Sequence, residues 1–224
     1  MINLNNLKKL FCLLLVISLL ASSLMIYANA HEFSPKRYWN DIYYHSGMNK
    51  RIVRIRVDIN LVTNTNYKNR LLDAIYLWEW EDNGYCDIAA VYSPAKVTAS
   101  SAYPSTVNPL YYAITYSYIE NATMRYYNGN VINWNLFPFS CSKITRADIF
   151  VNMAKQSTDN FNNNDIIKTW VHEIGHVIGL NETNDGTRSV MKQGKGSTFG
   201  WSNYWKPQTH DKTDLGRYHS VGWQ

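Results

Sequence analysis

The sequence predicts an α+β domain, strands and helices folded around one core, and three observations carry that expectation. In RIVRIRVDIN, residues 51–60, Val53, Ile55, Val57 and Ile59 alternate with Arg54, Arg56 and Asp58, the period of a half-buried strand. Tyr112, Ile114, Tyr116 and Tyr118 alternate in the same way with Ala113, Thr115 and Ser117. Later the period changes: Ile166, Ile167, Trp170, Val171, Ile174, Val177 and Ile178 share the apolar stripe of a helix.

Taken in order, residues 1–30 read as an export signal. Lys8 and Lys9 precede an apolar run from Leu10 to Tyr27, and Ala28-Asn29-Ala30 has the small-x-small cleavage pattern. The run just reaches the length of a membrane span, but Ser18, Ser22 and Ser23 dilute it, so removal and release from the cell are expected. Residues 31–50 are polar and aromatic without a period and read as an extended lead-in; residues 51–224 are expected to form the functional domain.

Within it, Tyr67–Glu81 places Leu71, Leu72, Ile75, Tyr76 and Trp78 at helical spacing, and Asn83-Gly84 ends that helix. Asp87–Ser93 reads as a strand, and the Pro-, Ser- and Ala-rich stretch Pro94–Pro109 as a long surface loop. Strand 111–119 follows. Thr123–Tyr127 and Asn130–Asn135 flank Asn128-Gly129, a two-residue hairpin signal, and the alternating tyrosines read as sheet packing. Ala147–Met153 is a further strand. The Asn/Asp-rich stretch Thr158–Asn164 leads to a helix starting near Asp165, with Asn163 or Asn164 as its cap. His210, Asp211 and Asp214 open a closing C-terminal helix.

The chain is 46% hydrophobic and 17% charged, a globular composition. The formal charge of +5 falls by two when Lys8 and Lys9 leave, and no Lys/Arg block supports nucleic-acid binding. After signal removal Cys86 and Cys141 remain, and in an oxidising compartment a disulfide is expected. It would close a loop of about 55 residues, worth about 4 kcal/mol on the chain-entropy estimate.

The chemistry lies in HEIGHVIGLNE, residues 172–182. His172 and His176 are one helical turn apart on the same side, so both can offer a ring nitrogen to one ion, with Zn2+ expected. Glu173 lies about 100° round the helix, placed to take a proton without ligating. Gly175 inside the helix costs about 1 kcal/mol relative to alanine, a local rule broken beside candidate ligands. Gly179 can adopt the left-handed backbone that turns the chain back, so that a residue just downstream returns to the metal as third donor. Asp185, His210 and His219 compete for that role. A calcium ion on Thr158–Asp165 is the alternative to a solvated capping loop.

From Gly179 onward the stretch resembles the metzincin metallopeptidases, in a matrixin-like, secreted bacterial form. Their pattern is His-Glu-x-x-His-x-x-Gly-x-x-His, followed by a turn built around a methionine, and here Ser189-Val190-Met191 matches that turn. Glu182 stands where the family has its third histidine. A carboxylate suits zinc as well, and two histidines with one carboxylate form a known catalytic set. Gln193 takes the place of a tyrosine that some members use.

The resemblance implies a mixed twisted sheet, an active-site helix behind it, a cleft below an edge strand, and a C-terminal subdomain with the Met-turn and closing helix. It implies a secreted, monomeric zinc endopeptidase that acts on a protein or peptide substrate and is free of membrane and nucleic acid. The competing reading is an exported, non-catalytic zinc-containing binding protein.

Overall fold

The computed structural model describes residues 37–39, 42–45, 50–81, 86–119, 125–127, 142–180, 182–183, 188–192 and 204–220. The expected signal segment, the strand at 130–135 and Cys141 lie outside them, and so does the Asn83-Gly84 helix stop. Among the described residues no helix is long and apolar enough to cross a membrane.

The sheet is mixed. Its strands are β1 (Arg37–Trp39), β2 (Ile42–His45), β3 (Lys50–Leu61), β4 (Cys86–Val91), β5 (Val97–Ser100), β6 (Ala113–Ile119), β7 (Arg125–Tyr127) and β8 (Ser142–Val151). β3 is parallel to β4 on one side and to β5 on the other, and β5 is parallel to β8. β6 runs antiparallel to β8 and to β7. The helices are α1 (Thr65–Glu81), α2 (Met153–Thr158), α3 (Asn163–Val177) and α4 (Thr209–Ser220).

β3 behaves as its alternation predicts. Val53, Ile55, Val57 and Ile59 are buried, while Arg54 and Arg56 emerge to pair with Asp87 of β4 at 3.2 and 2.9 Å. Those guanidinium groups are about two-fifths exposed, so the pairs tie two parallel strands in register more than they add stability.

Several elements depart from expectation. The lead-in contains β1 and β2, which pair with the first residues of β8 and β3. Strand pairing there uses backbone groups of an open sheet end, and leaves no periodic trace. The supposed loop Pro94–Pro109 contains β5, a central strand: its four residues are too few to show a period, and its place is set by the edges of β3 and β8. β8 ends at Val151, and Met153 opens α2 under an Asn152 cap. β7 pairs antiparallel with β6, and Asn128-Gly129, the expected hairpin turn, lies outside the described residues.

α1 begins two residues earlier than predicted, with Asn64 Oδ1 accepting the Tyr67 N–H. It buries Tyr67, Leu71, Ala74, Ile75, Leu77 and Trp78, and leaves Leu72 and Tyr76 exposed, correcting the predicted face. That stripe packs against α3, and two indoles close the contact. Trp78 Nε1 donates to Val171 O at 2.8 Å and Trp170 Nε1 to Tyr67 O at 3.1 Å, so each bulky ring fills the core with its polar atom satisfied. A smaller cluster, Val107, Ile114 and Tyr116, covers the tyrosine side of β6.

Candidate metal centre

α3 carries the centre, and its ends are both specified locally. Asn162, not Asn163 or Asn164, is the N-cap: its side chain accepts the Asp165 N–H while the Asp165 carboxylate accepts the Asn162 N–H. This capping box uses Asp165. Asp159 is paired with Lys155 at 2.9 Å and accepts the Tyr112 hydroxyl, so the loop's acids serve local structure.

At the other end Gly179 has φ 101°, as predicted. Its N–H bonds His176 O at 3.1 Å and the Leu180 N–H bonds Gly175 O at 2.9 Å, the paired bonds of a Schellman motif. The turn does more than stop the helix. Leu180 O, swung back by it, meets His176 Nδ1 at 2.9 Å.

His172 is held in the same fashion, with Nδ1 2.9 Å from Val190 O. A carbonyl oxygen only accepts, so both Nδ1 atoms carry the proton and both Nε2 atoms of the neutral rings are bare lone pairs. These two Nε2 atoms face each other at 3.1 Å, with the rings at 87°. Two lone pairs so placed repel, and a shared cation relieves them.

Glu182 Oε1 lies 4.0 Å from His176 Nε2, and donor atoms of His172, His176 and Glu182 all lie within 4.8 Å of one another. Nitrogens about 2.0 Å from a tetrahedral zinc stand about 3.3 Å apart, close to the 3.1 Å seen here. The donor set therefore fits a divalent metal, with the Nδ1 to carbonyl bonds supplying the outer support typical of such histidines.

Among the described residues this is the group that could hold an ion, and His210 is not part of it. Asp185 and the side chain of His219 lie outside the described residues, as does Gln193.

Glu173 is buried beside these donors at 6% exposure. Thr115 Oγ1 donates to its Oε2 at 2.6 Å. Burial pushes the carboxyl up to about 8, against the pull of the Thr115 bond and with a further push from Glu182. Thr115 was not singled out in the sequence. The signal was present in the small face of β6: Ala113, Thr115 and Ser117 let α3 come close, and Thr115 alone of the three reaches a carboxylate.

Met191 is fully buried, and its thioether lies directly over Gly175. A Cβ at 175 would collide with Met191 Sδ and stand 3.1 Å from its Cε. The helix glycine thus has a packing cause: it admits the methionine against the stretch of α3 between the two histidines.

Asp211, predicted only to open the last helix, is fully buried. It accepts the Ser189 hydroxyl at 2.5 Å, the Val190 N–H at 3.1 Å and the Gln208 N–H at 2.7 Å. Lys168, one turn before His172, is buried and donates to Lys192 O at 2.9 Å. Burial lowers its ammonium to about 7.

No protein-family model and no curated protein matches the chain. Among solved structures, that of myroilysin is similar to it at 13% identity, over 75% of this chain and 93% of the other, with a TM-score of 0.39. What the centre can do follows from its own side chains: two imidazoles and a carboxylate able to hold a metal, and a second, buried carboxylate beside them.

Proposed function

We propose that this chain is an exported zinc-dependent endopeptidase of the metzincin type. The observation that carries the reading is the pair of unprotonated Nε2 atoms at 3.1 Å with Glu182 beside them and Glu173 outside the donor set. A zinc ion held by His172, His176 and Glu182 supplies a Lewis acid that polarises an amide carbonyl and acidifies water.

Glu173 does the proton work. It receives a proton from the attacking water and passes it to the leaving amine nitrogen, while Thr115 holds Oε2 and fixes the rotamer. An extended peptide adds to the sheet on the β6 side. β7 already pairs with Thr115–Ser117, so the peptide lies beside Ala113 and Ile114 or along β7.

The test is chelator-sensitive cleavage of an unfolded protein. Glu173→Gln should keep its zinc and lose about 100- to 10,000-fold in kcat/KM. A wild-type chain that holds zinc stoichiometrically and cuts nothing overturns the enzyme reading and favours the non-catalytic binding protein.

A further inference from the structure

We propose that Asp211 is a positioning residue for the metal ligands, acting through the turn at Ser189–Lys192, whose far end Lys168 holds. The inference rests on the metal-centre reading above.

The turn has two sides. Its N–H side is held by Asp211, directly at Val190 and through Ser189, whose Oγ donates to Asp211 and accepts the Met191 N–H at 2.9 Å. Its carbonyl side holds the centre. Val190 O meets His172 Nδ1 at 2.9 Å, and Met191 O accepts the N–H of Thr183, next to Glu182, at 3.1 Å. Two of the three donors therefore take their place from a turn that one carboxylate anchors. The same carboxylate, in the first turn of α4, accepts the N–H of Gln208 just before that helix, so it ties the start of the closing helix to the turn. Lys168 completes the bracket from α3 itself, donating to Lys192 O.

An ionised carboxylate accepts every one of these bonds. The amide of Asn at 211 keeps one acceptor oxygen for the two backbone N–H groups and presents its NH2 to Ser189 Oγ, which reverses that bond and removes the carboxylate charge from the other two. Outer-sphere partners of this kind typically change metal affinity 10- to 100-fold.

The test loads the full chain with cobalt(II), whose visible absorption reports coordination geometry. Asp211→Asn should bind cobalt 10- to 100-fold more weakly than wild type, with an altered visible band. Ser189→Ala, which removes one relay, should show a smaller loss in the same direction. Leu215→Ala, in the core-facing side of α4 and fully buried, weakens the same helix while leaving the turn's hydrogen-bonding side chains in place, and should keep cobalt affinity within twofold and an unchanged band. Wild-type affinity and spectrum in both Asp211→Asn and Ser189→Ala overturn this inference alone, as does equal loss in Leu215→Ala. A wild-type chain that takes up no cobalt overturns the metal-centre reading, and this inference with it.

Discussion

Gly175→Ala separates helix propensity from packing at the heart of the centre. Gly175 lies in α3 between the two histidines, and alanine there should gain about 1 kcal/mol of helix propensity. The added methyl meets Met191 Sδ, lies 3.1 Å from Met191 Cε and touches Trp78 Cζ2 at 3.4 Å.

Met191 has no room to retreat. It is fully buried, its N–H is held by Ser189 and its carbonyl by Thr183. Overpacking of this kind costs about 1–3 kcal/mol, so the net change is a loss of about 0–2 kcal/mol. At about 2–4 °C per kcal/mol for a domain of this size, the melting temperature falls by a few degrees.

The decisive measurement is the sign in a second background. Met191→Ala alone costs about 2–5 kcal/mol as a buried cavity. Added to it, Gly175→Ala meets no thioether and should stabilise by about 1 kcal/mol. Urea unfolding of the metal-free chain, followed by tryptophan fluorescence, gives all four corners of the cycle. Stabilisation of similar size in both backgrounds would refute the idea that the glycine exists to admit the methionine.

Three further outcomes follow from the geometry. Glu182→Ala should lower zinc affinity at least about 100-fold by equilibrium dialysis, and Glu182→His should recover most of it, because imidazole nitrogen and carboxylate oxygen both ligate zinc at about 2.0–2.2 Å; unchanged zinc content in the alanine variant would transfer the third-donor role elsewhere. Thr115→Val removes the bond that favours the ionised form of Glu173, so the acid limb of the pH–rate profile should move to higher pH; an unmoved limb would show that Thr115 does not tune this group.

Lys168 predicts a pH slope in stability. Burial lowers its ammonium from 10.5 to about 7, Asp211 and Asp165 pulling it back and Lys192 adding to the depression. Between those values the unfolded chain holds a proton that the folded chain has released. Unfolding free energy therefore rises with pH across the window from 7 to about 10, at up to about 1.4 kcal/mol per unit. Lys168→Met should flatten that rise in urea titrations, and a slope equal to wild type would exclude Lys168 as its source.

What the sequence by itself determined is what depends on neighbours a few residues apart. The four-residue spacing puts His172 and His176 on one side of a helix by helical geometry alone. Gly179 stops that helix because only its backbone tolerates φ 101° at low cost, and the turn it makes is local. The alternation in β3 and β6 is likewise a property of each segment, and both strands form where it appears.

Tertiary structure decided what needs a distant partner. β5 is a central strand only because β3 and β8 leave it a place, and Leu72 and Tyr76 face solvent because α3 occupies the neighbouring stripe of α1. Thr115 reaches Glu173 across 58 residues, and Asp211 reaches Ser189 across 22. Such pairs leave no period in the chain, since a hydroxyl or a carboxylate acquires its role only from the group that folding sets against it.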